Sequence, residues 1–373
     1  MDTSLDNARL RERLIALTRD LVLIPGSEER PAELQRAIHW VRNHLESIEG
    51  VVVHLHESEG LPSLVALPDG CEHPDVLMCG HVDVVHHQDP ADYRSELRDG
   101  CIHGPGTGDM KGIVAILLEL FRRFHLETPG TPLGLAITTD EERGGEHGTR
   151  TLVDDFGLRC NIAMVPDGGS VDEIVVEEKG ILHLHLEAAG RACHAARPWL
   201  GENALEHLMA ALGAIRGLFP SADDDGHWYA TCAVTRIDTP NRSINRVPSH
   251  ASANLDVRFP FPATAADLLT AIRGKLPAGI TVEPIIAAEP SRLSPDPAFL
   301  DACEAVLGHR PRELREHGGS DARFLARQGI PVIMSRPICG NLHSRSEWIN
   351  IDSMISFHEI YRRYLESRFN VSP

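Results

Sequence analysis

His81 and Asp83 stand two residues apart in Gly80-His81-Val82-Asp83, just after the apolar run 76–79. In an extended chain, side chains two apart point the same way. The aspartate can therefore grip one imidazole nitrogen while the other is offered to a metal. His-x-Asp also occurs as an ordinary structural pair, so this motif is weak alone. Asp109 lies in the glycine-rich Gly106-Thr107-Gly108-Asp109-Met110-Lys111-Gly112. It can cap the apolar helix expected over 112–124, because aspartate is a good N-cap, or present a carboxylate able to bridge two metals. The segment is not a phosphate loop, since Lys111 is not followed by Ser or Thr. Glu141 and Glu142 follow the apolar strand expected over 133–138, where adjacent side chains diverge. One can ligate a metal while its neighbour reaches a water molecule. Asp167, in Val165-Pro166-Asp167-Gly168-Gly169, again follows an expected strand. Open α/β sheets bind ligands beyond the carboxyl ends of their strands. All these groups occupy such positions.

The elements that must position them follow from periodicity. The pattern predicts helices over 4–23 and 31–47 and strands over 51–56, 63–67, 76–79, 133–139 and 161–165. This alternation indicates an α/β domain with a largely parallel sheet. From 181 the pattern changes to strict alternation, with Leu182, Leu184 and Leu186 on one face and His183, His185 and Glu187 on the other. A helix over 202–217, strands over 229–237 and 250–258, a helix over 264–275 and a strand over 279–286 give the order β-α-β-β-α-β of a ferredoxin-like sandwich. Helices over 297–307, 321–328 and 352–368, with a strand over 331–335, return to the first pattern. Residues 1–180 and 291–373 are thus expected to form one catalytic domain, interrupted by an inserted α+β domain over 181–290. His183 and His185 read as sheet-face residues, and His86 and His87 as structural or surface residues.

Composition narrows the function. The 373 residues exceed what one core usually serves. A net charge of −18 opposes binding to a phosphate backbone, which argues against nucleic acid as a partner. No segment is apolar enough to span a bilayer, and none reads as a signal peptide. The eight cysteines are scattered without a C-x-x-C pair, as in reduced cytosolic proteins. A cytoplasmic location is expected. No G-x-S-x-G elbow points to a serine nucleophile.

Taken in order, the motifs GHVDVV, GTGDMKG, TTDEERGG, VPDGG and the late histidine of GNLHSRSEWI resemble those of one family. It contains succinyl-diaminopimelate desuccinylase, acetylornithine deacetylase, aminoacylase-1 and carboxypeptidase G. GRACHAARPWLGENA, NRSINRVP, DVRF and GGSDARF match as well, so the resemblance covers nearly the whole chain. It implies a zinc-peptidase-like catalytic domain with an inserted lid and dimerisation domain. It also implies two Zn²⁺ per subunit, with Co²⁺ or Mn²⁺ as possible occupants. His81, Asp109 and Asp167 would hold one ion, and Asp109, Glu142 and His343 the other. Glu141 becomes the general base and Asp83 the partner of His81. His194 becomes an oxyanion donor reaching a second subunit of a homodimer. Asn245, Arg258, Gly319 and Ser320 become substrate contacts. Relatives turn the bridging aspartate through a cis peptide, so a cis Asp109–Met110 bond is expected.

The implied reaction is hydrolysis of the amide bond of a small N-acyl amino acid. A dipeptidase or aminopeptidase of the same family is the alternative. A non-catalytic metal-binding or ligand-sensing relative would be expected to lose the base or a ligand, and all are present here. Pro105, where relatives often carry Arg, His103, where they carry an aromatic, and the Asp92–Ser95 stretch depart from the family pattern. None is a metal ligand, but they leave the acyl group and side chain of the substrate open.

Overall fold

The computed structural model describes residues 3–219 and 226–371. The chain divides into two compact units, one of residues 1–176, 292–316 and 320–373, the other of residues 177–291 and 317–319.

The first unit is built on a six-stranded sheet. Its order is Val51–Ser58, Leu61–Pro68, Leu133–Thr138, Val76–His81, Ile162–Met164 and Val332–Ile333. The last four strands run parallel. The first two form an antiparallel hairpin, which joins the rest antiparallel. The sheet is therefore mixed, and its parallel half carries the chemistry. Every residue of Val76–His81 and of Leu133–Thr138 is buried. Such strands need helices on both faces. Helices Gly112–Glu127 and Ile351–Phe369 pack on one side through Ile113, Leu117, Phe121, Met354 and Tyr361. The short helices Thr149–Asp154 and Ala322–Ala326 close the other through Leu152, Val153 and Leu325. Cys79 lies in this second core and is 4% exposed, as its apolar setting predicts.

The second unit is an antiparallel sheet in the order Thr231–Asp238, His250–Phe259, Gly180–Ala189, Ile280–Ala288. With helices Ala204–Arg216 and Ala265–Arg273 it has the predicted ferredoxin-like arrangement. Leu182, Leu184 and Leu186 enter a core with Leu208, Leu255 and Val257. On the opposite face His185 Nδ1 lies 2.7 Å from Asn254 Oδ1, and His183 Nε2 lies 3.3 Å from Asp256 Oδ2.

One local expectation is overturned. Asp109 does not cap the long helix, whose N-cap residue is Lys111 and carries no side-chain cap. Asp109 sits in a wide turn over Thr107–Lys111, with φ −133° and ψ 89°. Its carboxylate is engaged by two histidines, which a capping geometry would prevent. The Asp109–Met110 bond is cis.

Candidate metal centre

The parallel strands end side by side, and each delivers a polar residue to the same edge. His81 is the last residue of its strand, in register with Thr138. Glu141 and Glu142 follow Thr138 in a short turn, Glu141–Arg143. Asp167 follows Ile162–Met164, and His343 lies on the loop between the short strands Cys339–Gly340 and Trp348–Asn350. Asp109 arrives from the turn before the long helix, and its oxygens divide between the two imidazoles. Oδ1 lies 3.1 Å from His81 Nε2, and Oδ2 lies 3.2 Å from His343 Nε2.

Donor atoms of His81, Glu141 and Asp167 lie within 4.8 Å of one another, as do those of Asp109, Glu142 and His343. His343 Nε2 is 3.3 Å from Glu142 Oε2, and His81 Nε2 is 3.9 Å from Glu141 Oε2. Asp109, a member of the second group, also reaches His81 of the first through Oδ1. All six predicted residues therefore meet, with Glu141 close enough to be a donor itself. Asp83 stands behind His81. The imidazole Nδ1 lies 3.2 Å from the Asp83 carbonyl oxygen and 3.3 Å from its Oδ1. Asp83 Oδ2 accepts from the backbone N–H of Glu142 at 3.0 Å, tying the first strand end to the third ligand turn.

The electrostatics is that of a site short of positive charge. Burial, and then the charge of Asp167, pushes Glu141 well above the usual carboxylate range. Asp167 is raised in the same way by burial and by Asp109. Glu142 is pushed up to about 8 by burial and by Asp109. Burial alone would lower His81, but the carboxylates of Asp109 and Asp83 outweigh it and raise the ring well above its ordinary value. The hydrogen bond to Asp109, against some burial, lifts His343 to about 9. Asp109 feels burial too, yet its two histidines hold it well below the carboxylate range. Crowded carboxylates and neutral imidazole nitrogens are the donors that divalent zinc-class ions accept. A cation placed among them removes the repulsion that keeps protons on Glu141, Glu142 and Asp167. The residues fit the metals that the motifs imply.

Two partners of this centre escape a reading of the sequence. Glu347, 2% exposed, accepts three backbone N–H groups, from Gly106 at 2.9 Å, Gly108 at 2.7 Å and Asp109 at 2.9 Å. It fixes the turn that presents Asp109. Gly106 in that turn has φ +79°, and a Cβ there would meet Val84 Cγ1 at 2.4 Å, so only glycine fits. Arg336 lies beyond the end of the edge strand, with Nη1 3.9 Å from Asp167 Oδ1. Nothing in the spacing of either residue marks it, since its role comes from distant chain segments meeting.

The remaining predicted residues have partners of their own. His194 is exposed on the two-residue strand Cys193–His194, where its Nδ1 accepts from Ala196 N–H at 3.1 Å. Asn245 is exposed, and its carbonyl oxygen accepts from Ala195 N–H at 2.8 Å. The Arg258 guanidinium is occupied by a two-point pair with Asp256, at 2.7 and 3.1 Å. Gly319 packs against Ile181, where a Cβ would come within 2.9 Å of Cδ1. Ser320 is buried, its Oγ accepting from Ala322 N–H at 3.2 Å. His86 and His87 are structural, as expected. His86 Nδ1 is 3.1 Å from Ser27 Oγ, and the His87 backbone N–H donates to Tyr93 Oη at 2.9 Å.

Residues 77–367 match the model of peptidase family M20/M25/M40. The chain belongs to this family. It is 31% identical to a succinyl-diaminopimelate desuccinylase of Rhodospirillum centenum, covering 95% of this chain and 97% of that protein. It is 30% identical to the same-named protein of Acidiphilium cryptum over 320 residues, which is 80% of this chain and 85% of the relative. Its fold is that of the family's solved structures. An M20 family metallo-carboxypeptidase from Sulfolobus solfataricus superposes with a TM-score of 0.79 at 16% identity, covering 96% of this chain and 99% of that one. Human carnosine dipeptidase 1 gives 0.75 at 16% identity, covering 98% of both. The chain is thus an M20 metal-dependent hydrolase of amide bonds. No helix among the described residues is long and apolar enough to cross a membrane.

Proposed function

We propose that this chain hydrolyses the amide bond of a small N-acyl amino acid, as a two-zinc enzyme. The observation that carries the reading is the division of Asp109 between His81 and His343, with Glu141 beside the first pair. With Asp109 shared, His81 and Asp167 complete three donors for one ion, and Glu142 and His343 complete three for the other. A catalytic zinc takes three protein ligands and keeps a position open, so Glu141 is surplus to ligation. Metal bound here supplies Lewis acidity toward the scissile carbonyl and brings the pKa of a water from about 15.7 toward 7.

The chain's own groups do the rest. The Glu141 carboxylate takes a proton from the attacking water and returns it to the departing amine nitrogen. Asp83 holds Nδ1 of His81, so that Nε2 faces the cluster. Glu347 keeps Asp109 in place. His194 donates to the developing oxyanion from a second subunit, with the inserted unit acting as lid and dimer contact. Supporting this assembly, Val234, Ile237, Met209 and Ile285 leave large apolar side chains exposed on that unit. Asn245, Arg258, Gly319 and Ser320 contact substrate once the lid closes. The proposed location is the cytoplasm, in keeping with eight free thiols. The relatives named as desuccinylases support an acyl amino acid over a dipeptide.

The test is a hydrolysis screen of zinc-loaded protein against N-acetyl, N-succinyl and N-formyl amino acids and against dipeptides. Turnover of acylated amino acids well above that of dipeptides is expected. Preference for dipeptides would move the assignment to the family's dipeptidases, and no turnover of either would overturn it.

A further inference from the structure

Arg336 stands where the parallel half of the sheet ends. Arg336 follows Val332–Ile333 by three residues, as Asp167 follows the neighbouring parallel strand Ile162–Met164. Its side chain is 15% exposed, and its Nε is buried with no hydrogen-bond partner among the described residues. The one ion pair it makes among the described residues, to Asp167, is too long at 3.9 Å to be a hydrogen bond. A guanidinium offers five donors in a fixed fork and is never neutral. Leaving such a group nearly buried and unpaired is costly, so its place requires an account.

Asp167 is a nearby carboxylate, but at 3.9 Å it leaves the Arg336 donors unfilled. Two divalent ions balance the four carboxylates of Asp109, Glu141, Glu142 and Asp167. The Arg336 fork is then still without a carboxylate held at hydrogen-bond distance. Arg258, in contrast, is already held at two points by Asp256 in this structure, so a substrate carboxylate reaching it would have to compete with that pair. Resting on the amide-hydrolase reading, we propose that Arg336 is a specificity-determining residue. Its free fork takes a carboxylate of the substrate close to the scissile carbonyl, borne on either the acyl or the amine side. A carboxylate matches the guanidinium in plane and spacing and can accept two parallel N–H bonds. A neutral acyl amide would leave the charge as it is.

The experiment compares wild type with Arg336→Met and Arg336→Lys, all as full-length zinc-loaded protein. Four substrates separate the two sources: N-succinyl-alanine, N-acetyl-alanine, N-succinyl-alaninamide and N-acetyl-alaninamide. The methionine variant should raise KM about 30-fold or more for the substrates bearing the bound carboxylate, as loss of a buried charge partner does. N-acetyl-alaninamide should change by less than about threefold, and lysine should restore part of the loss. An effect following the succinyl group places the fork on the acyl side, and one following the alanine carboxylate places it on the amine side. Zinc content is measured for each variant. An equal loss on all four substrates, or a fall in zinc content, would show that Arg336 only offsets Asp167, and the proposal fails. Calorimetric binding of succinate and of N-acetylalanine gives a readout without turnover. Carboxylate binding that vanishes in Arg336→Met upholds the inference even if no amide is cleaved, in which case the hydrolase reading alone falls. Binding unchanged by the substitution overturns it. Should Arg336→Met fail to fold, the same ligands read on Arg336→Lys decide, because lysine keeps the charge and loses the fork.

Discussion

Glu347→Ala tests whether a residue that touches no metal sets the position of the bridging ligand. The Glu347 carboxylate accepts from three buried N–H groups at 2.7–2.9 Å. Each donor left unsatisfied costs about 1–3 kcal/mol. The three share one acceptor, and the turn can relax, so the losses will not add. A destabilisation of ~3–4 kcal/mol is expected for the catalytic unit. Loss of such an outer partner typically weakens metal binding about 10–100-fold. Two measurements separate these effects. Hydrogen exchange of a peptide spanning 104–112 reports the freed amides directly, and chelator competition reports zinc affinity. Glu347→Gln retains an oxygen that can accept from Gly108 and Asp109, and should fall between wild type and alanine in both. If Glu347→Ala keeps amide protection and zinc affinity within twofold of wild type, the turn is held by its glycines and not by this carboxylate.

The remaining expectations concern the centre and the assembly. Glu141→Ala should keep its zinc and lose about 10²–10⁴-fold in kcat, whereas Glu142→Ala should chiefly lose metal; wild-type turnover in the former would exclude Glu141 as base. In metal-free protein at pH 7 the protons on His343 (about 9) and Glu142 (about 8) must leave before these groups ligate. Zinc affinity should therefore rise with pH up to about 9, with release of more than one proton near pH 7, read by calorimetry in buffers of different ionisation enthalpy; a pH-independent affinity would refute this. The sign reverses for the stability of the metal-free chain. His343 has a raised folded pKa, so its contribution is full below about 6.5 and lost as pH rises through about 9. Finally, mixing inactive Glu141→Ala and His194→Ala chains should restore activity after subunit exchange, because one site of the heterodimer then keeps both groups. Exchange without recovery would place His194 within its own subunit or outside the reaction.

Of the candidate ligands, His81, Glu142 and Asp167 were legible because each follows a recognisable strand signal, whereas His343 came only through the family resemblance. Val76 to Cys79 and Leu133 to Thr138 are apolar runs of strand length, and what comes directly after them must lie at the sheet's carboxyl edge. Alternation at Leu182, Leu184 and Leu186 likewise exposed the inserted sheet. Asp109 was ambiguous, because Asp before an apolar helix serves equally as a cap, and only the histidines that meet it decide. The antiparallel hairpin Val51–Ser58 and Leu61–Pro68 was visible as two strands but not as the antiparallel end of a mixed sheet, since pairing direction is not written in either strand. Glu347 and Arg336 were silent for another reason. One takes its meaning from backbone amides more than 200 residues away, the other from a carboxylate on a neighbouring strand, and neither relation leaves a period or spacing to read.

The strand Ile162–Met164 lies in the first stretch of the catalytic unit, yet its outer neighbour is Val332–Ile333. About 170 residues of chain separate the two. At a synthesis rate of about 5–20 residues per second, the edge of Ile162–Met164 stays open for roughly 8–30 s on the ribosome. An unpaired apolar edge is the kind of surface on which chains pair wrongly. The inserted unit is made during this interval and can fold without waiting, because all four of its strands are contiguous in that stretch. Arg336, His343 and Glu347 emerge only after the edge is covered. A nascent chain that stops before them lacks the second histidine of the cluster and the carboxylate that holds the Asp109 turn, so the candidate centre is incomplete until residues 336–347 have been made.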